Sequence, residues 1–478
     1  MSLRTDVLYS LKWLAAGRFL GQMVAWAITL FVIRILEPTD YGLMAIAEIF
    51  IGFAALFREM GLYSAMVQSR DLKQRHIEQA FGILIIINTG LYLLMFVTAP
   101  VFADFFDDAR LVGIIRVLGL QFPLVSIGVV QSAMLSRSMK FKHVSLVNFV
   151  VTLGNGFTTL GFALSGAGVW ALVYGSLAGS LIRSIGLVVA ARHWCRPRFS
   201  REGMADMLRF GSFVTISRML WYIYNQADVF IIGKVLGNEI LGFYSIGRQL
   251  ASLPMKKVAA MLNQVGLAAY SSIQQDMHAV RSHYLKVIRI LSFLSFPVFW
   301  GISCISPDFV PIVLGDRWGQ AIIPLQLLSL IMPIRMIGHS GSPLTAIGKP
   351  HIGTLNHFIT FIIMPPAFFI GAWFWGLVGV SMVWVVAYPI VMLCRLYFSL
   401  PALGLGYRDY FRALAGPATG GAAMYIAVII TREGIVRPLL APVPGLLLLI
   451  SVGAVTYLLF MWLLRQADCR EVLALAKG

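Results

Sequence analysis

The sequence predicts an all-α integral membrane protein, and three observations carry that expectation. The chain is 59% hydrophobic and 12% charged, with a mean hydropathy of +0.81, a balance that a water-soluble globule of 478 residues does not have. Its apolar runs last about 20 residues each, the length of a helix that crosses a bilayer. They are continuous rather than alternating, which excludes a membrane β-barrel. Finally, basic residues fall in alternate loops: one set holds 22 Lys and Arg, the other holds Arg110, Arg317, Arg432 and Arg437. The positive-inside rule then places both termini in the cytoplasm. The net charge of +17 is accordingly a topology signal. With no basic run on a soluble module, nucleic acid is not an expected partner.

Fourteen helices account for the apolar runs, at about 13–36, 42–67, 78–103, 112–135, 144–164, 168–190, 210–236, 241–266, 286–306, 321–347, 353–374, 376–393, 413–431 and 443–464. The first carries Arg18, is too long for a cleaved signal peptide and lacks a small-residue cleavage site. The second carries Glu48, Arg58 and Glu59. The seventh carries Arg218 and the polar, aromatic stretch from Trp221 to Asp228, the eighth Arg248, and the tenth Arg335. The stretches between these helices are too short for a separate soluble domain.

The two halves echo each other. Arg34-Ile35-Leu36 with Gly42 and Ile46 matches Lys234-Val235-Leu236 with Gly242 and Ile246, an offset of 200. At the same offset Arg18 meets Arg218, and Glu48 meets Arg248. Later matches, Pro123 with Pro333 and Gly168 with Gly379, drift smoothly to an offset of 211. Each repeat holds six helices, an even number, so both halves enter the membrane from the same side as parallel repeats. The expected architecture is an N-lobe at 1–200 and a C-lobe at 201–400 around a central cavity. Two additional helices and a cytoplasmic tail follow at 401–478.

Twelve Lys and Arg lie inside the spans, opposed by Glu48, Glu59 and Asp228. A charge at the bilayer centre costs about 2.5–3.5 kcal/mol even on the lenient insertion scale, so the deep ones must face protein or a water-filled cavity. Arg34, Arg58, Arg116, Arg183, Lys234, Lys256, Lys257 and Arg289 sit close enough to helix ends to be read as snorkelling. Arg18 and Arg218 hold equivalent places on the first helix of each lobe, and their guanidinium forks suit a diphosphate. Arg248 and Arg335 are candidates for the exit path, with a buried Glu48–Arg248 ion pair as the competing reading. Glu48 and Asp228 are candidates for ion coupling, because desolvation and a nearby arginine move a carboxylate pKa in opposite directions. Trp221, Tyr224 and Asn225 are candidates for sugar contact by stacking and hydrogen bonding, against the competing reading of core packing.

Several segments together resemble a known family: Arg34-Ile-Leu-Glu-Pro-Thr-Asp-Tyr41-Gly42, Gly61-Leu62 with Val67-Gln68, Leu314-Gly315-Asp316-Arg317-Trp318 and Ala346-Ile347-Gly348-Lys349-Pro350. They are similar to the Wzx-type polysaccharide repeat-unit flippases of the multidrug/oligosaccharidyl-lipid/polysaccharide exporter superfamily, nearest the colanic-acid exporter subgroup. The resemblance runs over roughly residues 10–400. It implies alternating access that moves an undecaprenyl-diphosphate-linked oligosaccharide across the bacterial inner membrane, coupled to a proton or sodium gradient. It also implies a polysaccharide polymerase or export machinery as a further partner. The competing readings are a lipid II-type or multidrug exporter and, less favoured, a polytopic polysaccharide polymerase. A cationic cavity speaks against a cationic drug, and the absence of a long outer loop speaks against the polymerase. No Walker loop or nucleophile–base pair occurs in the sequence. Cys195, Cys304, Cys394 and Cys469 lack metal-ligand spacing. No cofactor, bound metal or catalytic activity is therefore expected.

Overall fold

Hydrocarbon offers no partner for a backbone N–H or C=O, so apolar spans must satisfy their own backbone and fold as helices. The computed structural model describes residues 21–59, 61–68, 72–192, 195–199, 205–338 and 342–464, and among these residues it contains helices and no strand. They form two compact units, residues 1–242 and 243–478.

The first unit contains α1 (Gly21–Ile35), α2 (Pro38–Ala55), α3 (Leu62–Gln68), α4 (Gln74–Phe105), α5 (Arg110–Gly119), α6 (Gln121–Arg137), α7 (Phe141–Leu164), α8 (Val169–Ala191) and α9 (Ala205–Val235). It ends within the first turns of α10 (Asn238–Ser272). The second unit holds the rest of α10, then α11 (Met277–Phe309), α12 (Ile322–Gly338), α13 (Ser342–Ala346), α14 (Pro350–Leu403), α15 (Tyr407–Thr431), the short turn α16 (Arg437–Leu439) and α17 (Pro442–Leu464). Nine of the described helices or helix runs are long and apolar enough to cross a membrane, and α1 with α2, bent by 118°, makes a tenth.

Several expected helices are interrupted for identifiable reasons. The helix expected over 42–67 stops at Ala55 and restarts at Leu62, with Gly61 at φ +74°, a conformation that favours glycine. The buried Asn88 of α4 donates to the carbonyl of Arg58 at 3.0 Å and so fixes the break. The helix expected over 112–135 divides at Leu120 into α5 and α6. Pro123, three residues on, has no N–H for the carbonyl four residues back. The helix expected over 321–347 is preceded by a 3₁₀ stretch and is described from Ile322 to Gly338. The 54-residue α14 bends at Gly376, where φ is +56° and ψ −138°. Its two arms fold back on one another, and Gly371 and Gly379 meet backbone to backbone across the bend.

Small residues let the helices approach closely, as membrane packing without a hydrophobic driving force requires. On α8, Gly175 and Gly179 rest on Thr159 and Asn155 of α7. At the first turns of α2 and α10, Gly42 lies against the carbonyl of Asn238 and Gly242 against the carbonyl of Pro38. The first unit buries Leu62, Met66, Phe81, Leu84, Val129 and Val130 together. The second unit packs Met424, Tyr457 and Met461 between α15 and α17, and Asp308 pairs with the buried Arg432 at 2.7 Å. Large apolar side chains on the outer faces stay exposed, among them Val97 and Val101 on α4 and Trp373, Phe374 and Trp375 at the α14 bend. An apolar outer face is what a lipid environment selects, and tryptophans at a helix bend fit a membrane interface.

Candidate functional site

Helix α9 lies against α2 in the first unit, and one side chain sets the contact. The Tyr222 hydroxyl donates to the carbonyl of Ile49 at 2.9 Å and to that of Glu48 at 3.2 Å. It reaches them because Gly52 has no Cβ in its path. Glu48 is exposed, ten residues or about 15 Å into α2.

The stretch that begins at Trp221 is graded along its length. Positions 221, 224, 225 and 228 recur at helical spacing and share one face of α9. Trp221 is exposed, Asn225 is half-buried, and Tyr224 and Asp228 are buried. The Asp228 Oδ1 accepts the Val229 N–H at 2.8 Å. The stripe is therefore open at its Trp221 end and covered at its Asp228 end, some 10 Å further along.

Two further clusters join α9 and α2 to α4 and to the turn after it. The first is aromatic: Phe50 stacks on Phe102 with ring centroids 3.7 Å apart, and Phe230 meets Phe105 and Phe106 at 5.5 and 5.4 Å. The second is ionic. Lys234 bonds Asp107 at 2.8 Å and lies 5.0 Å above the Phe105 ring, while Asp108 is held by Arg110 at 2.7 Å and by Asn238 at 2.7 Å. The hydrogen bonds and charge of Arg110 keep the Asp108 carboxyl below the usual aspartate range, with Asn238 assisting and partial burial opposing. The sequence reading of Lys234 as snorkelling leaves out its partner, Asp107. The legible signal for the aromatic cluster was the run of Phe102, Phe105 and Phe106 facing Phe50 and Phe230.

The second unit treats its deep arginine differently. The Arg335 guanidinium is buried, 3.9 Å from the centroid of Trp384 and 5.9 Å from that of Tyr388. Trp384 in turn donates its indole N–H to the Tyr244 hydroxyl at 3.0 Å. Arg335 thus sits in an aromatic cage inside one unit, while Arg248 is half-buried on α10. Arg218 lies on α9 and its side chain is outside the description, and Arg18 lies outside the described residues. Among the described residues no cluster of three His, Cys, Asp or Glu side chains is placed to hold a metal.

A family model described as polysaccharide biosynthesis protein matches residues 31–323. The chain is 26% identical over 430 residues to the lipopolysaccharide biosynthesis protein WzxC of Escherichia coli K12, covering 87% of this chain and 85% of that protein. It is 24% identical over 378 residues to the teichuronic acid biosynthesis protein TuaB of Bacillus subtilis 168, covering 78% of each. In fold it is similar to the lipid II flippase MurJ in an inward closed conformation, with a TM-score of 0.76 at 15% identity over 94% of this chain and 97% of that one. It is also similar to an inward-facing multidrug resistance transporter of the MATE family, with a TM-score of 0.62 at 16% identity over 79% of this chain and 93% of that one. The chain belongs to the polysaccharide biosynthesis protein family, as a multi-pass membrane transporter of the Wzx type and not an enzyme.

Proposed function

We propose that this protein carries an undecaprenyl-diphosphate-linked oligosaccharide, a precursor of exopolysaccharide, capsule or O-antigen, from the cytoplasmic to the periplasmic leaflet of the bacterial inner membrane. Fourteen crossings, six in each lobe (1–200 and 201–400) and two in the tail region (401–478), leave both termini in the cytoplasm. The observation that carries the reading is the graded face of α9, open at Trp221 and covered at Asp228. A helix that met lipid alone would gain nothing from a polar stripe in mid-span. A hydrophilic cargo entering from the inner side requires one. The names of the relatives support the class of cargo.

In this reading Arg18 and Arg218 grip the diphosphate with planar forks, and Trp221, Tyr224 and Asn225 meet the sugars. Arg248 and Arg335 line the path toward the outer side. Glu48, exposed at mid-helix, and Asp228, buried beyond it, change protonation or sodium occupancy as access alternates. Energy comes from the ion gradient.

The test is substitution. Arg18→Ala and Arg218→Ala abolish export with insertion intact, because a charge-assisted contact worth about 1.5–3 kcal/mol is lost. Lysine at either place restores part of it, since a point charge cannot reproduce the fork. Glu48→Gln and Asp228→Asn keep substrate binding and lose the dependence on pH or sodium. Normal export by the Arg18 and Arg218 variants at equal protein level contradicts the reading.

A further inference from the structure

The first unit contains a second polar site, separate from the α9 stripe. A cavity of about 220 Å³ lies where the α2–α3 break meets α6 and α8, and Arg58, Glu59, Tyr63, Ser132, Ser136 and Arg183 contribute its polar wall. Val125, Val129 and Leu187 form a buried apolar side. Two arginines that read from sequence as snorkelling thus face one cavity.

The site is built rather than incidental. Gly61 turns the chain at φ +74°, and Asn88 grips the Arg58 carbonyl, so the break presents Arg58 and Glu59 to the cavity. The Arg58 Nη2 reaches Glu59 at 3.2 Å, while the Arg58 Nε is buried with no hydrogen-bond partner among the described residues. A buried donor left unmatched is costly and calls for an acceptor. Arg183 is exposed and makes no ion pair or hydrogen bond with a described residue. Tyr63 and Ser136 hydrogen-bond each other at 2.9 Å, and one of the two hydroxyl hydrogens remains free to donate. Glu59 is the sole acid among the described lining residues, so two guanidiniums leave one positive charge uncompensated.

Depth identifies the ligand class. In the positive-inside orientation α2 runs inward, and Arg58 follows its last residue by three positions. Arg183 lies eight residues, or about 12 Å, from the inner end of α8. The cavity therefore sits near the cytoplasmic head-group level, with donors on one side and an apolar wall on the other. We propose that it binds a phosphate ester at the head-group level of the cytoplasmic leaflet, through the guanidiniums of Arg58 and Arg183 and the Tyr63–Ser136 hydroxyls. The site stands apart from the cargo proposed above and rests on that reading only for its orientation, with both termini in the cytoplasm.

The experiment uses the full-length protein, delipidated in a non-ionic detergent. It is titrated separately with dioleoylphosphatidylglycerol, undecaprenyl phosphate and inorganic phosphate, and bound species are counted by native mass spectrometry. The wild type takes up one molecule of at least one probe. Arg58→Gln and Arg183→Gln each weaken that binding at least tenfold, Arg58→Lys weakens it less, and Arg289→Gln leaves it unchanged. Ser132→Leu, which fills the cavity without touching a charge, also weakens binding and guards against loss of the arginine variants to misfolding. Preference for phosphatidylglycerol assigns the site to bulk phospholipid, and preference for undecaprenyl phosphate assigns it to a polyprenyl carrier. Equal competition by inorganic phosphate assigns it to the phosphate alone. Binding unchanged in Arg58→Gln, Arg183→Gln and Ser132→Leu, or no probe bound below millimolar concentration, overturns the proposal.

Discussion

Gly242 lies against the main-chain carbonyl of Pro38, and the same contact recurs 200 residues apart in reverse, with Gly42 against the carbonyl of Asn238. Two helix first turns meet with no side chain between them. A Cβ at either glycine would overlap a backbone oxygen that has no rotamer to yield.

Gly42→Ala and Gly242→Ala are therefore expected to destabilise the protein by about 1–3 kcal/mol, the usual cost of overpacking. Gly90→Ala, in the same kind of helix with nothing within 4 Å of the added carbon, should be neutral or slightly stabilising, since alanine is the better helix former. Thermal unfolding in detergent measures the difference. Equal midpoints for Gly42→Ala and Gly90→Ala would show that the crossing is loose.

The ionic cluster predicts a pH dependence with a definite sign. Asp108 has its carboxyl depressed in the folded protein, mainly by Arg110. A depressed carboxylate contributes stability above its unfolded pKa, about 3.9, and loses it as pH falls through the lower folded value. The wild type should thus lose its margin over Asp108→Asn as pH falls below about 4. Arg110 is more than half exposed, so the margin is at most about 1 kcal/mol. Melting curves of both proteins across that range test the sign; a margin that grows on acidification contradicts it.

The cage around Arg335 predicts coupling. A desolvated cation over an indole face is worth about 2 kcal/mol, and here the guanidinium carbon lies 3.9 Å from the Trp384 centroid. Arg335→Met and Trp384→Leu should each lower stability, and their double variant should fall short of the sum by about 1–2 kcal/mol. Strict additivity in that cycle would mean that the two side chains touch without supporting one another.

Composition and helical run length made the membrane fold legible, because a bilayer permits few alternatives to a self-satisfied helix. The breaks were harder to read. The bend at Gly376 falls where the sequence divides 353–374 from 376–393, but the break at Gly61 depends on a partner, Asn88, which is 30 residues away from the Arg58 carbonyl it holds. The polar stretch of α9 was legible by its spacing, but its gradation from exposed Trp221 to buried Asp228 depends on which helices α9 meets, α2 and α3 among them. Charge depth alone was a poor guide. Lys234 read as snorkelling and pairs with Asp107, and Arg58 and Arg183 read as snorkelling and line one cavity. Arg116, read the same way, donates to the Phe96 carbonyl at 3.2 Å and lies 4.3 Å from the centre of the Phe96 ring. Sequence depth gives the distance from a helix end, whereas the partner that compensates a charge is set by which helices meet.

Transport of a lipid-linked oligosaccharide is tested most directly by the sidedness of its pool. Lipid-linked repeat units are labelled in intact cells with a membrane-impermeant glycan reagent, in the wild type and in a deletion strain with no redundant exporter. The account predicts that the deletion strain accumulates the intermediate, that the intermediate stays shielded until the membrane is opened, and that the surface polymer is lost. An unchanged polymer with no trapped intermediate, or a pool labelled equally in both strains, would contradict it.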